Sequence, residues 1–322
     1  MTKRPEKSEF LEQYKAFNED KKALASHYNV NLGTIYNWIT RYIEGVESTL
    51  VEGKTTFEDF VKVHKESLIK PRERIVDLSL EKNALIVCLS DTHLGSTYVD
   101  VDRLSDDLKL IAETDGVLAI FDGDIIDYSI SGPKDLLYDQ IFSNPKFAKD
   151  WAREMVQKIQ HKLIAIVSGC HDKWEYSETG EYFGDELAKY TVTNVFVPDA
   201  LILNINYANV AYKIFMSHKL KGSSFNNLQN AMKRKAKEEL DCDVMIQAHF
   251  HRSAICNEVI RDHPMTFINC DSYKRIDTYT ASLGAIEHKG TTPGFYIDSQ
   301  HKRIIPFLNW RDGIAYLEAN RK

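Results

Sequence analysis

Five apolar runs in this 322-residue chain stop at residue types that bind cations. The run 84–89 gives way to Ser90-Asp91-Thr92-His93, and 116–121 to Asp122-Gly123-Asp124-Ile125-Ile126-Asp127. The run 163–167 ends in Ser168-Gly169-Cys170-His171-Asp172, 210–216 in Ser217-His218-Lys219, and 244–247 in Ala248-His249-Phe250-His251. A buried carboxylate with no cation beside it costs several kcal/mol, roughly, so three acids at one strand end call for a positive partner, a metal ion first of all. One such ending is ordinary hydrogen bonding. Five in series use five of the eleven histidines. They supply about as many O and N donors as two divalent cations about 3.5–4 Å apart need when one carboxylate is shared.

The elements that must position these groups follow from the same runs. Segments apolar on both faces belong to the centre of a sheet. Residues just past the carboxyl ends of such strands face the crevice where α/β proteins bind ligands. Gly123 and Gly169 fit the tight turns this requires. Ahead of 84–89 the pattern alternates through Val76, Leu78 and Leu80. The stretch 128–162 is longer than a bare crossover. It is broken at Ser131-Gly132-Pro133 and then reads as a helix over 147–161, with Trp151, Met155 and Ile159 inward. After Asp172, the loop 173–180 carries Trp174 and Tyr176, which either stack on a base or sugar ring or cover their own apolar floor.

The motif order D-x-H, G-D-x-x-D, G-x-H-D, H, x-H-x-H resembles that of the calcineurin-like metallophosphoesterase superfamily, over roughly residues 84–300. The resemblance implies an α/β fold of two stacked sheets flanked by helices, an αββα sandwich, holding a dinuclear centre. Carried over residue by residue, Asp91, His93 and His251 bind the first metal, Asp124 bridges, and His218 and His249 hold the second. His171 is the acid at the leaving oxygen, oriented by Asp172, and Asp127 is an outer acid fixing a histidine tautomer. Asp122 is left without a role. Segments 265–269, 294–298 and 303–308 read as strands completing the second sheet.

Two positions depart from the family pattern. Ala248 replaces a glycine, which removes only backbone freedom. Cys170 stands where the family has an asparagine whose side-chain oxygen ligates the second metal. A thiolate there adds negative charge and favours Zn or Fe(II) over Mn; an unliganded thiol would leave the second metal weak. Ligation is the expectation taken here.

Residues 1–45 read as three short helices. Phe10, Leu11, Tyr14 and Phe17 recur at helical spacing, Leu24 and Ala25 point inward from a second segment, and Ile35, Trp38, Ile39 and Tyr42 stripe a third. Asn29 suits a left-handed turn and Asn31 an N-cap. The segment 22–39 resembles helix-turn-helix segments of transposases and phage proteins. That likeness implies that Asn31, Thr34, Asn37 and Arg41 face DNA; a small three-helix bundle for dimerisation is the other reading. Residues 46–82 are expected to be a linker and a helix, the latter over 55–69, and 83–322 the metallophosphoesterase domain.

A net charge of −6 argues against coating nucleic acid by bulk electrostatics, though not against a local basic face. Such a face exists: residues 213–237 hold seven Lys/Arg and no acid. Lys219 and Lys221 follow His218, and Arg252 follows His251, so all three are candidates for substrate phosphate. Residues 233–237 lie on a helix, as a solvated face or a phosphate track. Five cysteines without a CxxC pair indicate a reducing compartment. The polar start lacks a signal-peptide core and no run reaches membrane-spanning length, so a cytoplasmic protein of a prokaryotic or phage-infected cell, free of membrane, is expected. The expected activity is hydrolysis of phosphate esters by a metal-activated hydroxide, with DNA as substrate and a homodimer as a further possibility. The alternatives are a phosphomonoesterase, acting on protein or a small phosphate, and a DNA-binding regulator that keeps the fold as a scaffold.

Overall fold

The structure is a computed structural model. It describes residues 5–17, 20–30, 32–42, 57–58, 61, 73–128, 139–141, 144–224, 226–238, 241–284, 286–287 and 289–321. Two compact units divide at Lys70 and Pro71. In the first, helices Lys7–Ala16, Lys21–His27 and Leu32–Tyr42 pack on Phe10, Leu24, Ile35, Trp38 and Ile39. Asp20 caps the second helix by accepting from Lys22 N at 2.9 Å, and Asn29 takes the left-handed backbone expected of it, with φ of 49°. Phe10 meets Trp38 edge-on at 5.8 Å. Asn31, the side chains of Asn37 and Arg41, and most of the helix expected over 55–69 lie outside the described residues. Thr34 is half-buried.

Among its described residues the second unit contains twelve strands: β1 (Glu73–Ser79), β2 (Ala84–Leu89), β3 (Val117–Asp122), β4 (Leu163–Val167), β5 (Phe196–Val197), β6 (Ala200–Asn206), β7 (Ala211–Met216), β8 (Val244–Gln247), β9 (Ala254–Ile260), β10 (His263–Asn269), β11 (Gly294–Ile297) and β12 (Ile304–Phe307). They form two six-stranded sheets, ordered β12-β11-β2-β3-β4-β5 and β1-β6-β7-β8-β10-β9. Strands β2 to β5 are mutually parallel, as are β7, β8 and β10.

Alternation along β2 explains the layering. Ala84, Ile86 and Cys88 enter the core between the sheets, against Leu203, Ile214, Ile246 and their neighbours. Leu85, Val87 and Leu89 face the opposite side, under helices Val101–Glu113 and Pro145–Lys158. Because successive strand residues point to opposite faces, a strand covered on both sides must be apolar throughout. The second sheet buries its outer face under helix Asn230–Glu238, through Met232 and Ala236 on Phe215, Met245 and Phe267. The result is the αββα sandwich. Among the described residues, no helix is long and apolar enough to cross a membrane.

Four expectations need correction. Strands β11 and β12 join the first sheet instead of the second, β11 antiparallel to β2 and β12 antiparallel to β11; of the three segments only β10 is in the second sheet. The domain does not begin at 83, because β1 pairs in parallel with β6 along its whole length. Trp151 is 36% exposed, since helix Pro145–Lys158 buries Ala148, Ala152, Met155 and Val156. Residues 173–179 are helical, not a loop: helix Cys170–Thr179 starts within the third motif and ends at Gly180 in a left-handed C-cap.

Candidate metal centre

All five strand ends converge on one site at the carboxyl edges of both sheets. The first sheet supplies Asp91 and His93 after β2, Asp124 after β3, and Cys170 and His171 after β4. The second supplies His218 after β7, and His249 and His251 after β8. Four groups of donor atoms lie within 4.8 Å of one another: Asp91, His93 and His251; Asp91, Asp124 and His218; His93, Asp124 and His171; and Cys170, His218 and His249. Asp91 and Asp124 each belong to two groups.

Individual separations fit shared cations. His251 Nε2 is 3.1 Å from Asp91 Oδ1 and 3.2 Å from His93 Nε2. His218 Nε2 is 3.0 Å from Asp124 Oδ2, and Cys170 Sγ is 3.6 Å from His249 Nδ1. Two ligands about 2.1 Å from one tetrahedral ion are about 3.4 Å apart. Asp91 Oδ1 and His218 Nε2 are buried and have no hydrogen-bond partner, although both lie within these donor groups. Orphaned buried groups of this kind need an explanation, and a cation supplies one. The donors therefore fit divalent metal, and Cys170 sits among them with His218 and His249.

Backbone conformation pushes these side chains together. Asp91, His93, Asp124, His249 and His251 all have positive φ, between 44° and 73°. Left-handed backbone costs a non-glycine residue about 1–2 kcal/mol and clusters at functional sites. Gly123 and Gly169 let the β3 and β4 loops touch: a Cβ on Gly169 would fall 2.0 Å from Asp124 Oδ1, and one on Gly123 would fall 2.6 Å from His218 Nδ1. Their role is loop-to-loop approach.

Outer contacts set the tautomers. Asp127 Oδ1 lies 2.9 Å from His93 Nδ1, leaving Nε2 to face the cluster. The backbone carbonyl of Asp122 accepts from His218 Nδ1 at 2.6 Å, which gives that residue the function its sequence left open. Gln140 Nε2 donates to Asp127 Oδ2 at 2.6 Å, and the buried Lys274 Nζ lies 3.3 Å from both Asp127 oxygens. Asp172 does not orient the His171 ring as expected. Its Oδ2 accepts from Gly169 N at 2.6 Å and Asp124 N at 3.3 Å, tying the third residue of helix Cys170–Thr179 back to the N-cap amide. Asp127 Oδ1 is the carboxylate near His171 Nδ1, at 3.3 Å. Trp174 lies over His171 with ring centres 4.1 Å apart, and Tyr176 stacks on Tyr182 at 4.4 Å.

Electrostatically the site is poised between acids and histidines. Burial opposes ionisation of Asp91 and Asp124, but His218 and His251 for the first, and His218 and His171 for the second, hold both well below the usual carboxylate range. Burial likewise opposes the charging of His93, yet its bonds to Asp127 and Asp91 raise it to about 9. Burial, with Asp91 and Asp124 alongside, lifts the Asp122 carboxyl to about 8. Burial lowers His171 and His249 to about 4.

Ligands drawn from both sheets, in the order D-x-H, G-D-x-x-D, G-x-H-D, H, x-H-x-H, meet at one point between them. The second unit is an αββα sandwich with a candidate metal centre at its sheet edges. No family model matches the sequence, and no curated protein matches it. Solved structures to which the chain is similar include Vps29 of Chaetomium thermophilum, at 15% identity, with 70% of this chain and 96% of that one covered and a TM-score of 0.40. The calcineurin-like phosphoesterase YfkN of Bacillus subtilis is 11% identical, with 75% and 98% covered and a TM-score of 0.37. The nuclease MPE of Pseudomonas putida is 13% identical, with 69% and 87% covered and a TM-score of 0.29.

Lys219 and Lys221 are exposed on the loop after His218, and Arg252 is exposed beside His251, so all three flank the candidate metal centre at its rim. Sequence reasoning missed Lys274 and Gln140. Lys274 follows a sixth strand end, Asn269-Cys270-Asp271 after β10, which carries the same signal of polar residues closing an apolar run.

Proposed function

We propose that this protein is a metal-dependent phosphoesterase that hydrolyses phosphodiester bonds of nucleic acid, DNA in particular. The observation that carries the hydrolytic reading is the convergence of Asp91, His93, Asp124, Cys170, His218, His249 and His251 into overlapping donor groups. Two divalent ions held there would polarise phosphoryl oxygens and acidify a water molecule. Asp91, His93 and His251 would hold one ion and His218, His249 and Cys170 the other, and Asp124, which groups with His93 and with His218, would supply a further carboxylate. The thiolate makes the second position suited to Zn or Fe(II). His171, pinned through its backbone N–H to Asp124 Oδ1 at 2.7 Å, presents its ring beside the cluster to meet the leaving oxygen. Asp127 faces its Nδ1, and Trp174 covers one ring face against water.

Support for nucleic acid comes from the helix-turn-helix-like start and the acid-free basic segment 213–237. The test is turnover of bis-p-nitrophenyl phosphate, p-nitrophenyl phosphate and DNA by the full chain loaded with Mn or Zn. Diester and DNA hydrolysis that falls at least 100-fold in His171→Ala supports the reading, that size being typical of acid–base catalysis. A preference for the monoester makes the protein a phosphomonoesterase. Stoichiometric metal with no turnover, together with tight duplex binding, makes it a DNA-binding regulator.

A further inference from the structure

The basic residues between 213 and 237 do not share one role. Helix Asn230–Glu238 packs Met232 and Ala236 onto the second sheet. Lys233 turns sideways to Glu258, at 2.7 Å. Arg234 and Lys237 lie on the opposite, exposed face. The start of this helix is tied to the metal site's rim. Arg234 donates to the carbonyl of Lys221, and a Cβ on Gly222 would fall 2.9 Å from the Arg234 guanidinium. Asn230 Nδ2 donates to Gly222 O at 2.9 Å, and Gln247 Nε2, one strand residue before Ala248-His249, donates to Leu228 O at 2.9 Å. Residues 219–224 and 226–229 are thus braced between His218 and the helix, with Lys219 and Lys221 exposed at the near end.

We propose that Lys219, Lys221, Arg234 and Lys237 form a phosphate track that leads a nucleic-acid backbone away from the metal centre along helix Asn230–Glu238. This rests on the phosphodiesterase reading and adds direction and reach to it. At 1.5 Å per residue Lys237 lies about 4.5 Å further along the helix axis than Arg234, which is itself bonded to the rim at Lys221. Lys/Arg contacts to phosphate release counterions, so each one engaged contributes about one unit to the salt dependence of binding.

The test compares the full chain with Lys235→Gln/Lys237→Gln, whose side chains lie away from the metals. Lys235, whose ammonium lies over the Phe215 ring at 5.1 Å, flanks the track and is included to lower its field. Turnover of bis-p-nitrophenyl phosphate reports the chemistry alone and is expected to be unchanged. For a 20-nucleotide strand, kcat/KM is expected to fall about three- to tenfold at low salt and the salt slope by about one to two units. A dinucleotide ester, too short to reach Lys237, is expected to be unaffected. An unchanged salt slope and unchanged long-strand kcat/KM would overturn the track while leaving the phosphodiesterase reading intact. If neither ester is hydrolysed by the parent chain, that reading fails, and fluorescence-anisotropy binding of the same strand then decides the track by the same salt slopes.

Discussion

Asp127 Oδ1 sits 2.9 Å from His93 Nδ1 and 3.3 Å from His171 Nδ1, so one carboxylate addresses both a ligand-type histidine and the histidine beside the cluster. Gln140 and Lys274 hold that carboxylate in turn. Asp127→Asn keeps the shape but presents an amide where a charged acceptor stood. Metal affinity at the first position is expected to fall about 10- to 100-fold, the usual effect of losing an outer carboxylate on a ligating histidine. Titration with Mn while monitoring turnover checks this, and unchanged affinity would remove Asp127 from its role.

Cys170 lies with His218 and His249, and its Sγ is 3.6 Å from His249 Nδ1. Cobalt-loaded protein is expected to show a thiolate-to-metal charge-transfer band that Cys170→Asn abolishes. The same substitution is expected to shift metal preference from Zn towards Mn while retaining turnover. A band that survives the substitution would show that another group ligates.

Gly169 has no room for a methyl group, with Asp124 Oδ1 2.0 Å and Asp124 N 2.2 Å from the added Cβ. Gly169→Ala is expected to separate the β3 and β4 loops, to cost on the order of 3 kcal/mol of stability, and to abolish metal binding. Thermal unfolding and metal analysis of the same sample measure both effects.

Asp122 is fully buried, and neither carboxylate oxygen has a hydrogen-bond partner. Its pKa is raised from 3.8 to about 8, so the folded metal-free protein binds this proton more tightly than the unfolded chain. The associated stability is complete below pH 3.8 and is lost as pH rises to about 8. In EDTA, the Tm gain from Asp122→Asn is expected to grow from pH 5 to pH 8 and to level off above. A gain independent of pH would show that the carboxyl is not the titrating group.

The strand ends were legible because strands β2, β3, β4 and β8 are buried on both faces, which leaves an uninterrupted apolar run whose polar terminus stands out. Strands β11 and β12 carry the same local pattern whichever sheet they join, since the side-chain pattern of a strand specifies a face but not a partner. Trp151 shares helical spacing with Met155 and Ile159, yet the buried stripe is centred on Ala152 and Val156, and the larger ring falls at its margin. Asp172 was misread because a carboxylate one residue from His171 looks like its partner in sequence. On a helix, adjacent residues point apart, and the third helical position turns back to the N-cap amide. Lys274 reaches Asp127 from a separate segment, a contact that no spacing within either motif encodes.

Asp124 belongs to two of the four donor groups, so its replacement tests the proposed dinuclear hydrolase most directly. Metal content and bis-p-nitrophenyl phosphate turnover should be measured together for the parent chain and Asp124→Asn. The expected result is about two divalent ions per parent chain, with loss of one or both ions in the variant and a fall in turnover of about 100-fold or more. Equal metal content with undiminished turnover in Asp124→Asn would contradict the assignment of this site.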